Sequence, residues 1–330
     1  MSYIIAEIGI NFEGNIKKAI KLIKSAKKSG VNAVKFQVFK AETLAAEKSE
    51  KTLAQKKNTK KNESLYRMWK RMELSEAKLS ILKKISKKNK LDFICSVFDE
   101  DSLNKIIKLA DTIKIASSEI TDLDLITKIS KTKKKIIMST GMASFTEIKK
   151  ALKIIKKNKV SLLHCVSIYP CPDRLINLNR MKKLKKLFNK KVGFSDHSLG
   201  NEACYAALSM GADIIEKHFT DNKSLKGADH AISADEKDMK QIVNFSKKIF
   251  NMKGLGTIDP SNAEIRMKKF FRKAIYYKYD LKKGSILNNN CIYSRRPFAY
   301  ICSSKIKEFL GKKINKIVHA NSAVKAEDIV

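Results

Sequence analysis

Between residues 3 and 219 the chain repeats one pattern. A short, almost unbroken apolar run is followed by a longer stretch whose apolar positions fall three and four apart. The runs are YIIAEIG (3–9), AVKFQVF (33–39), DFICSVF (92–98), TIKIASS (112–118), KIIMSTG (135–141), SLLHCVS (161–167), KVGFSDHS (191–198) and ADIIEKHF (212–219). Near-continuous apolar runs predict strands buried on both faces, as in a parallel sheet covered by helices. NIKKAIKLIKSAKKSG and SFTEIKKALKIIKKN predict such covering helices. Eight strand–helix units within about 250 residues fit a closed (β/α)8 TIM barrel better than an open sheet, so the expected fold class is α/β.

Three stretches break the pattern. Residues 40–74, rich in lysine and glutamate, form an insertion after the second strand. They read as partly helical at best and as a flexible lid. GLGTIDPSNAE (254–264) mixes glycine, proline and small polar residues and reads as a linker. Beyond it, FRKAIYYKYDLKKGSIL, RRPFAYI and LGKKINKIV predict short strands and turns around one helix, a small β-rich second domain. The expected boundaries are a barrel over 1–252, a linker over 253–266 and a second domain over 267–330.

Composition narrows the classes. The formal charge of +36 suggests nucleic acid, but only eight of the 69 basic residues are arginine. The lysines are spread over nearly every predicted helix, which suits solvated faces, and base or phosphate readers favour the arginine fork. A specific nucleic-acid partner is therefore not expected. No apolar run reaches the ~18 residues a membrane helix needs, and the N-terminus reads as a strand, not a signal peptide. The six cysteines form no CxxC pair, so a cytoplasmic, disulfide-free protein is expected.

In a barrel of this kind chemistry gathers at the C-terminal ends of the strands. Polar residues collect there: Glu7, Lys35, Gln37, Ser96, Lys114, Ser117, Glu119, Ser139, Thr140, His164, Ser167, Tyr169, Ser195, Asp196, His197, Glu216 and His218. A lysine inside an apolar strand is costly to bury unpaired, so Lys35 and Lys114 point to an anionic ligand, with serines completing its cradle. His197 and His218 end consecutive strands and can converge on one divalent ion. His164 reads as a satisfied core residue, and His319 as a surface residue. The Ser195-Asp196-His197 sequence imitates a hydrolase triad, but neighbours on a strand point to opposite faces and cannot chain side chain to side chain. Asp196 thus faces away from the other two and reads as structural.

The ordered pieces IIAEIGIN, AVKFQVFKAE, KIASSEI, IIMSTGMAS, LLHCVSIYPCP, GFSDHS, IEKHFT and GADH, continued by LKKGSIL, RRP and LGKKI, cover nearly the whole chain. Together they resemble the sialic acid synthases and the bacterial enzymes that make legionaminic and related nonulosonic acids. The resemblance implies a TIM barrel followed by an antifreeze-like (SAF, β-clip) domain. It implies condensation of phosphoenolpyruvate with an N-acylated mannosamine-type sugar, with N-acetylneuraminate as the first expected product and legionaminic acid as the alternative. It also implies a divalent metal on His197 and His218, manganese first, with magnesium or cobalt as alternatives. Lys35, Ser96, Lys114, Ser117, Ser139 and Ser195 would hold phosphoenolpyruvate. Glu7, Glu119 and Gln37 would handle water and position the sugar, and Tyr169, Asp229 and Arg296 would contact it. Arg296 would come from the partner of a domain-swapped homodimer.

The chain departs from the family pattern at several points. Phe12 stands where a polar rim residue is usual, CSVF replaces STPF, and Ser167 replaces asparagine. GADH replaces GPDH. RPFAYI replaces RPGxGI beside Arg296, so Phe298 and Tyr300 stand where glycine is usual.

Overall fold

The structure is a computed structural model that describes residues 1–59 and 63–330. It divides into two compact units, Met1–Lys253 and Gly254–Val330.

In the first unit eight parallel strands close in sequence order, with β8 pairing back to β1. The strands are β1 (Tyr3–Gly9), β2 (Ala33–Val38), β3 (Asp92–Val97), β4 (Thr112–Ile115), β5 (Lys135–Ser139), β6 (Val160–Cys165), β7 (Lys191–Asp196) and β8 (Ile214–His218). The expected barrel is present, and each strand falls within its apolar run or starts one residue ahead of it. Helices α1 (Ile16–Ser29), α2 (Ala41–Leu44), α3 (Leu53–Asn58), α4 (Leu65–Met72), α5 (Glu76–Lys88), α6 (Glu100–Ile106) and α7 (Leu123–Lys131) accompany the first half. Helices α8 (Phe145–Ile154), α9 (Asp173–Ile176), α10 (Asn179–Phe188), α11 (Glu202–Ser209) and α12 (Glu236–Lys253) accompany the second. Asn15 caps α1 by accepting from Lys17 and Lys18 N–H, and Gly30 ends it at φ 81°.

Inside the barrel, Ile5, Ala33, Ile94, Ile137, Leu163 and Ile214 form an aliphatic floor. A larger apolar layer lies between strands and helices and includes Ile4, Phe36, Phe93, Ile113, Leu162 and Phe194. Gly193 is required by packing, since a Cβ there would lie 2.2 Å from the Ile214 carbonyl oxygen on β8.

The insertion is partly helical, as expected, but it carries an apolar anchor that was not. It holds three helical pieces, α2 to α4, while Lys60–Asn62 within it lie outside the described residues. Met68 and Met72 of α4 are buried with Ile10 and Phe39, and Trp69 meets the Phe39 ring edge-on at 5.0 Å. Leu65, Met68, Trp69 and Met72 repeat at helical spacing, a signal hidden among lysines. The segment is thus fastened to the barrel by its own apolar cluster. Phe12 corrects a second expectation. It is no rim residue but fully buried in the layer beneath the helices, edge-on to Phe36 at 6.1 Å.

The second unit begins at Gly254. Ser261 caps α13 (Asn262–Phe271) in a reciprocal capping box with Glu264, so the end of the expected linker is already helical. β9 (Ala274–Tyr277) and β10 (Ile292–Arg295) pair antiparallel over a separate core of Ile275, Tyr277, Leu287, Ile292, Ile314 and Val324. Among the described residues no helix is long and apolar enough to cross a membrane.

Candidate active site

Two residues beyond the floor, the six strands that build it change chemistry. Ile5 gives way to Glu7, Ala33 to Lys35, Ile94 to Ser96, Ile137 to Ser139, Leu163 to Cys165 and Ile214 to Glu216. The period of two keeps both sets inside the barrel. The upper set lines a cavity of about 420 Å³ that also reaches Gln37, Lys114, Ser117, Tyr169, Ser195, His197, His218 and Asp229. This size suits a small-molecule site.

The lysines are not bare cations. Lys35 Nζ lies 2.9 Å from Glu7 Oε2 and 3.7 Å from Glu216 Oε1, and donates to Ser96 Oγ at 3.1 Å. Lys114 Nζ donates to Ser139 Oγ at 2.7 Å and lies 3.8 Å from Glu216. Burial opposes the charge on Lys35, but Glu216 and Glu7 outweigh it and hold its pKa above the lysine norm. On Lys114 burial prevails over the pull of Glu216, and its pKa falls. Burial raises Glu7 despite Lys35, whereas Lys114 and Lys35 overcome the burial of Glu216 and lower it. Ser195 Oγ donates to Glu216 Oε1 at 3.0 Å, and Gln37 Nε2 to Glu7 Oε1 at 3.0 Å.

Glu216 is therefore the hub of the charges above the floor, a role that sequence reasoning did not assign. Its place two residues before His218 and level with Ser195 was the available signal. Cys165 was missed as well. It faces the cavity, with Ser117 Oγ 3.0 Å from its sulfur, while neighbouring His164 points outward, 2.6 Å from the Ile176 carbonyl, as a core residue. Gly141 N–H donates to Ser117 Oγ at 3.1 Å. A Cβ on Gly141 would fall 2.5 Å from Ser167 Oγ and 2.9 Å from Ser117 Oγ, so only glycine leaves that polar pocket open.

The two histidine rings stand 5.6 Å apart, with the Tyr169 ring 4.3 Å from His197. His197 Nδ1 lies 2.8 Å from the Val166 carbonyl, so this nitrogen carries the proton and Nε2 keeps a lone pair. His218 Nδ1 is buried without a hydrogen-bond partner, 3.4 Å from Asp229 Oδ2. Burial lowers the pKa of both imidazoles, and for His218 the neighbouring His197 adds to it. Two neutral imidazoles, one with an orphaned buried nitrogen, fit a cation. Among the described residues no group of three or more His, Cys, Asp or Glu side chains encloses a metal, so further ligands would come from water or substrate. Burial, then Glu7, raises the Asp229 carboxyl to about 7.

Two expected residues stand apart. Glu119 sits half-buried on the 3-10 turn Ser117–Thr121 and is not among those lining the cavity. Arg296 belongs to the second unit, where its guanidinium lies 5.8 Å from the Phe271 ring centroid.

A closed barrel with a charged, histidine-bearing mouth defines a class of barrel enzymes, and comparison narrows the class. The sequence profile of the NeuB family matches residues 22–257, more than half of the chain. The chain is 38% identical to the N,N'-diacetyllegionaminic acid synthase of Campylobacter jejuni, over 95% of this chain and 96% of that one. It is 36% identical to the Legionella pneumophila protein of the same name, over 99% and 94%. The solved N-acetylneuraminic acid synthetase of Leptospira borgpetersenii superposes with a TM-score of 0.74 at 32% identity, covering 81% of this chain and 90% of that one. The chain belongs to the NeuB family.

Proposed function

We propose that the protein condenses phosphoenolpyruvate with an N-acylated mannosamine-type sugar and water, giving a nonulosonic acid and phosphate. The observation that carries this reading is one cavity holding both the Lys35–Lys114–serine cradle and two neutral imidazoles. Lys114 with Ser139, and Lys35 with Ser96, hold the phosphate and carboxylate, and Ser117 and Ser195 complete the ring. C3 of the enol attacks the sugar aldehyde and forms the new C–C bond. Water adds at C2, and the tetrahedral carbon expels phosphate by C–O cleavage. Glu7, its pKa raised, orients that water with Gln37 and takes its proton. Asp229 and Tyr169 face the sugar.

His197 and His218 would hold a divalent ion, manganese first, with magnesium or cobalt as alternatives. Such an ion polarises a carbonyl. In this reaction it would supply that polarisation to the sugar aldehyde. In the first form the sugar is N-acetylmannosamine and the product N-acetylneuraminate. The second form uses a 2,4-diacetamido-2,4,6-trideoxymannose and makes legionaminic acid. The 38% and 36% identities favour that second form.

We further propose that the second unit is antifreeze-like and caps the partner's barrel in a domain-swapped homodimer. In support, Leu255 and Ile258 are fully exposed and α13 buries no residue. A cytoplasmic location agrees with six cysteines that form no disulfide. The test is phosphate release with manganese, phosphoenolpyruvate and a panel of both sugar types. Release that needs both substrates is expected. Release that ignores the sugar, or survives His197→Ala, sinks the reading.

A further inference from the structure

We propose that Asp196 and Lys217 form a cross-brace on the outer face of the barrel that sets the spacing of His197 and His218. They would be positioning residues for the ion site, an inference that rests on the metal reading above. The last rung of the β7–β8 ladder pairs Asp196 with Lys217. Strand alternation puts both on the outer face, while Ser195, His197, Glu216 and His218 on either side of them line the cavity. Lys217 Nζ donates to Asp196 Oδ2 at 2.6 Å and to the Ser198 carbonyl at 3.0 Å. Asp196 Oδ1 accepts from Ser198 N–H at 2.8 Å and from Ser198 Oγ at 2.7 Å, and Cys204 Sγ on α11 donates to Oδ2 at 3.2 Å.

His197 is thereby enclosed. It lies beyond the ladder, and the chain before and after it is bonded to one ammonium rooted between Glu216 and His218. From the other side the Cys171 N–H donates to its carbonyl at 2.9 Å, and its own Nδ1 to Val166. The ion pair is almost wholly dehydrated, with side-chain exposures of 2% for Lys217 and 0% for Asp196. A buried pair of this kind is often replaceable by apolar side chains without loss of stability. Stability alone therefore does not account for its position at this rung, whereas control of the imidazole spacing does.

The experiment compares manganese binding to metal-stripped full-length protein, read by electron paramagnetic resonance of free manganese, independent of turnover. The double variant Asp196→Asn, Lys217→Met removes the brace, leaves no unpaired buried charge and keeps an acceptor for Ser198. It is expected to fold with a thermal midpoint close to wild type and to bind manganese ~10-fold more weakly, the loss typical when a metal ligand's support is removed. Its kcat should fall while KM for phosphoenolpyruvate stays near wild type. Ser198→Ala deletes one donation and disturbs no charge, so it serves if the double variant does not fold, with roughly a three-fold loss expected. Unchanged manganese affinity in either folded variant overturns the proposal. Wild-type protein that binds no manganese, or His197→Ala protein that binds it equally well, overturns the metal reading instead.

Discussion

The floor and most of the mouth of the barrel are built from the same strands, two residues apart, and they do opposite things. The floor is Ile5, Ala33, Ile94, Ile137, Leu163 and Ile214, dry and uncharged. The mouth is Glu7, Lys35, Ser96, Lys114, Ser139, Cys165, Ser195 and Glu216, with two cations and two anions in a shared hydrogen-bond net. Floor contacts are satisfied by each other. The mouth is not closed in this way, since Glu216 Oε2 and His218 Nδ1 lack hydrogen-bond partners. One step of the pleat thus separates residues that hold the fold from residues positioned for a ligand.

The most severe way to break this contrast is Lys114→Ala. Lys114 touches Ser139 and approaches Glu216, and removing a preorganised charge from a dry site typically costs ~10²–10³-fold in kcat. Steady-state kinetics should show that loss with a nearly unchanged thermal midpoint. An equally low midpoint would mean that Lys114 is structural. Ile94→Ala is the reciprocal change and should cost about 2–5 kcal/mol of stability while kcat at low temperature stays near wild type. Denaturant unfolding beside activity at low temperature checks it. Gly141→Ala intrudes between Ser117 and Ser167, and we expect KM for phosphoenolpyruvate to rise roughly ten-fold, by direct obstruction of the polar pocket. An unchanged KM would remove Gly141 from the anion site.

The smallest effect concerns pH. His230 is buried beside Asp229, its Nδ1 2.6 Å from Thr220 Oγ1, and burial, then Lys18, lowers its pKa to about 4. An unfolded histidine titrates near ~6.5, so the unfolded chain takes up this proton first as pH falls. The stabilising contribution is present above that value and is lost progressively down to about 4. His230→Gln should flatten the decline in thermal midpoint across that window. An identical slope would mean that other groups govern it.

The strands were legible because a parallel sheet buried on both faces leaves few polar interruptions, and the ends of two consecutive strands placed the histidine pair. Other features depend on information that no local pattern carries. Glu216 becomes the hub only because β8 closes against β1 and brings it near Lys35. Phe12 was assigned to the rim by its place in a motif, yet the β1–α1 turn directs it under the helices. The insertion's charge concealed a helical stripe of four apolar residues. Arg296 lies in a separate unit, so its expected reach to the mouth is a question of assembly.

Trp69 is the only tryptophan in the chain, and it lines the cavity from the insertion. The protein therefore carries a single indole fluorophore, excited apart from its nine tyrosines, at its candidate site. Emission excited at the tryptophan band reports one location without a label, so occupancy of the mouth can be followed optically in unmodified protein. Successive additions of manganese, phosphoenolpyruvate and sugar would give the order of loading from a single cuvette.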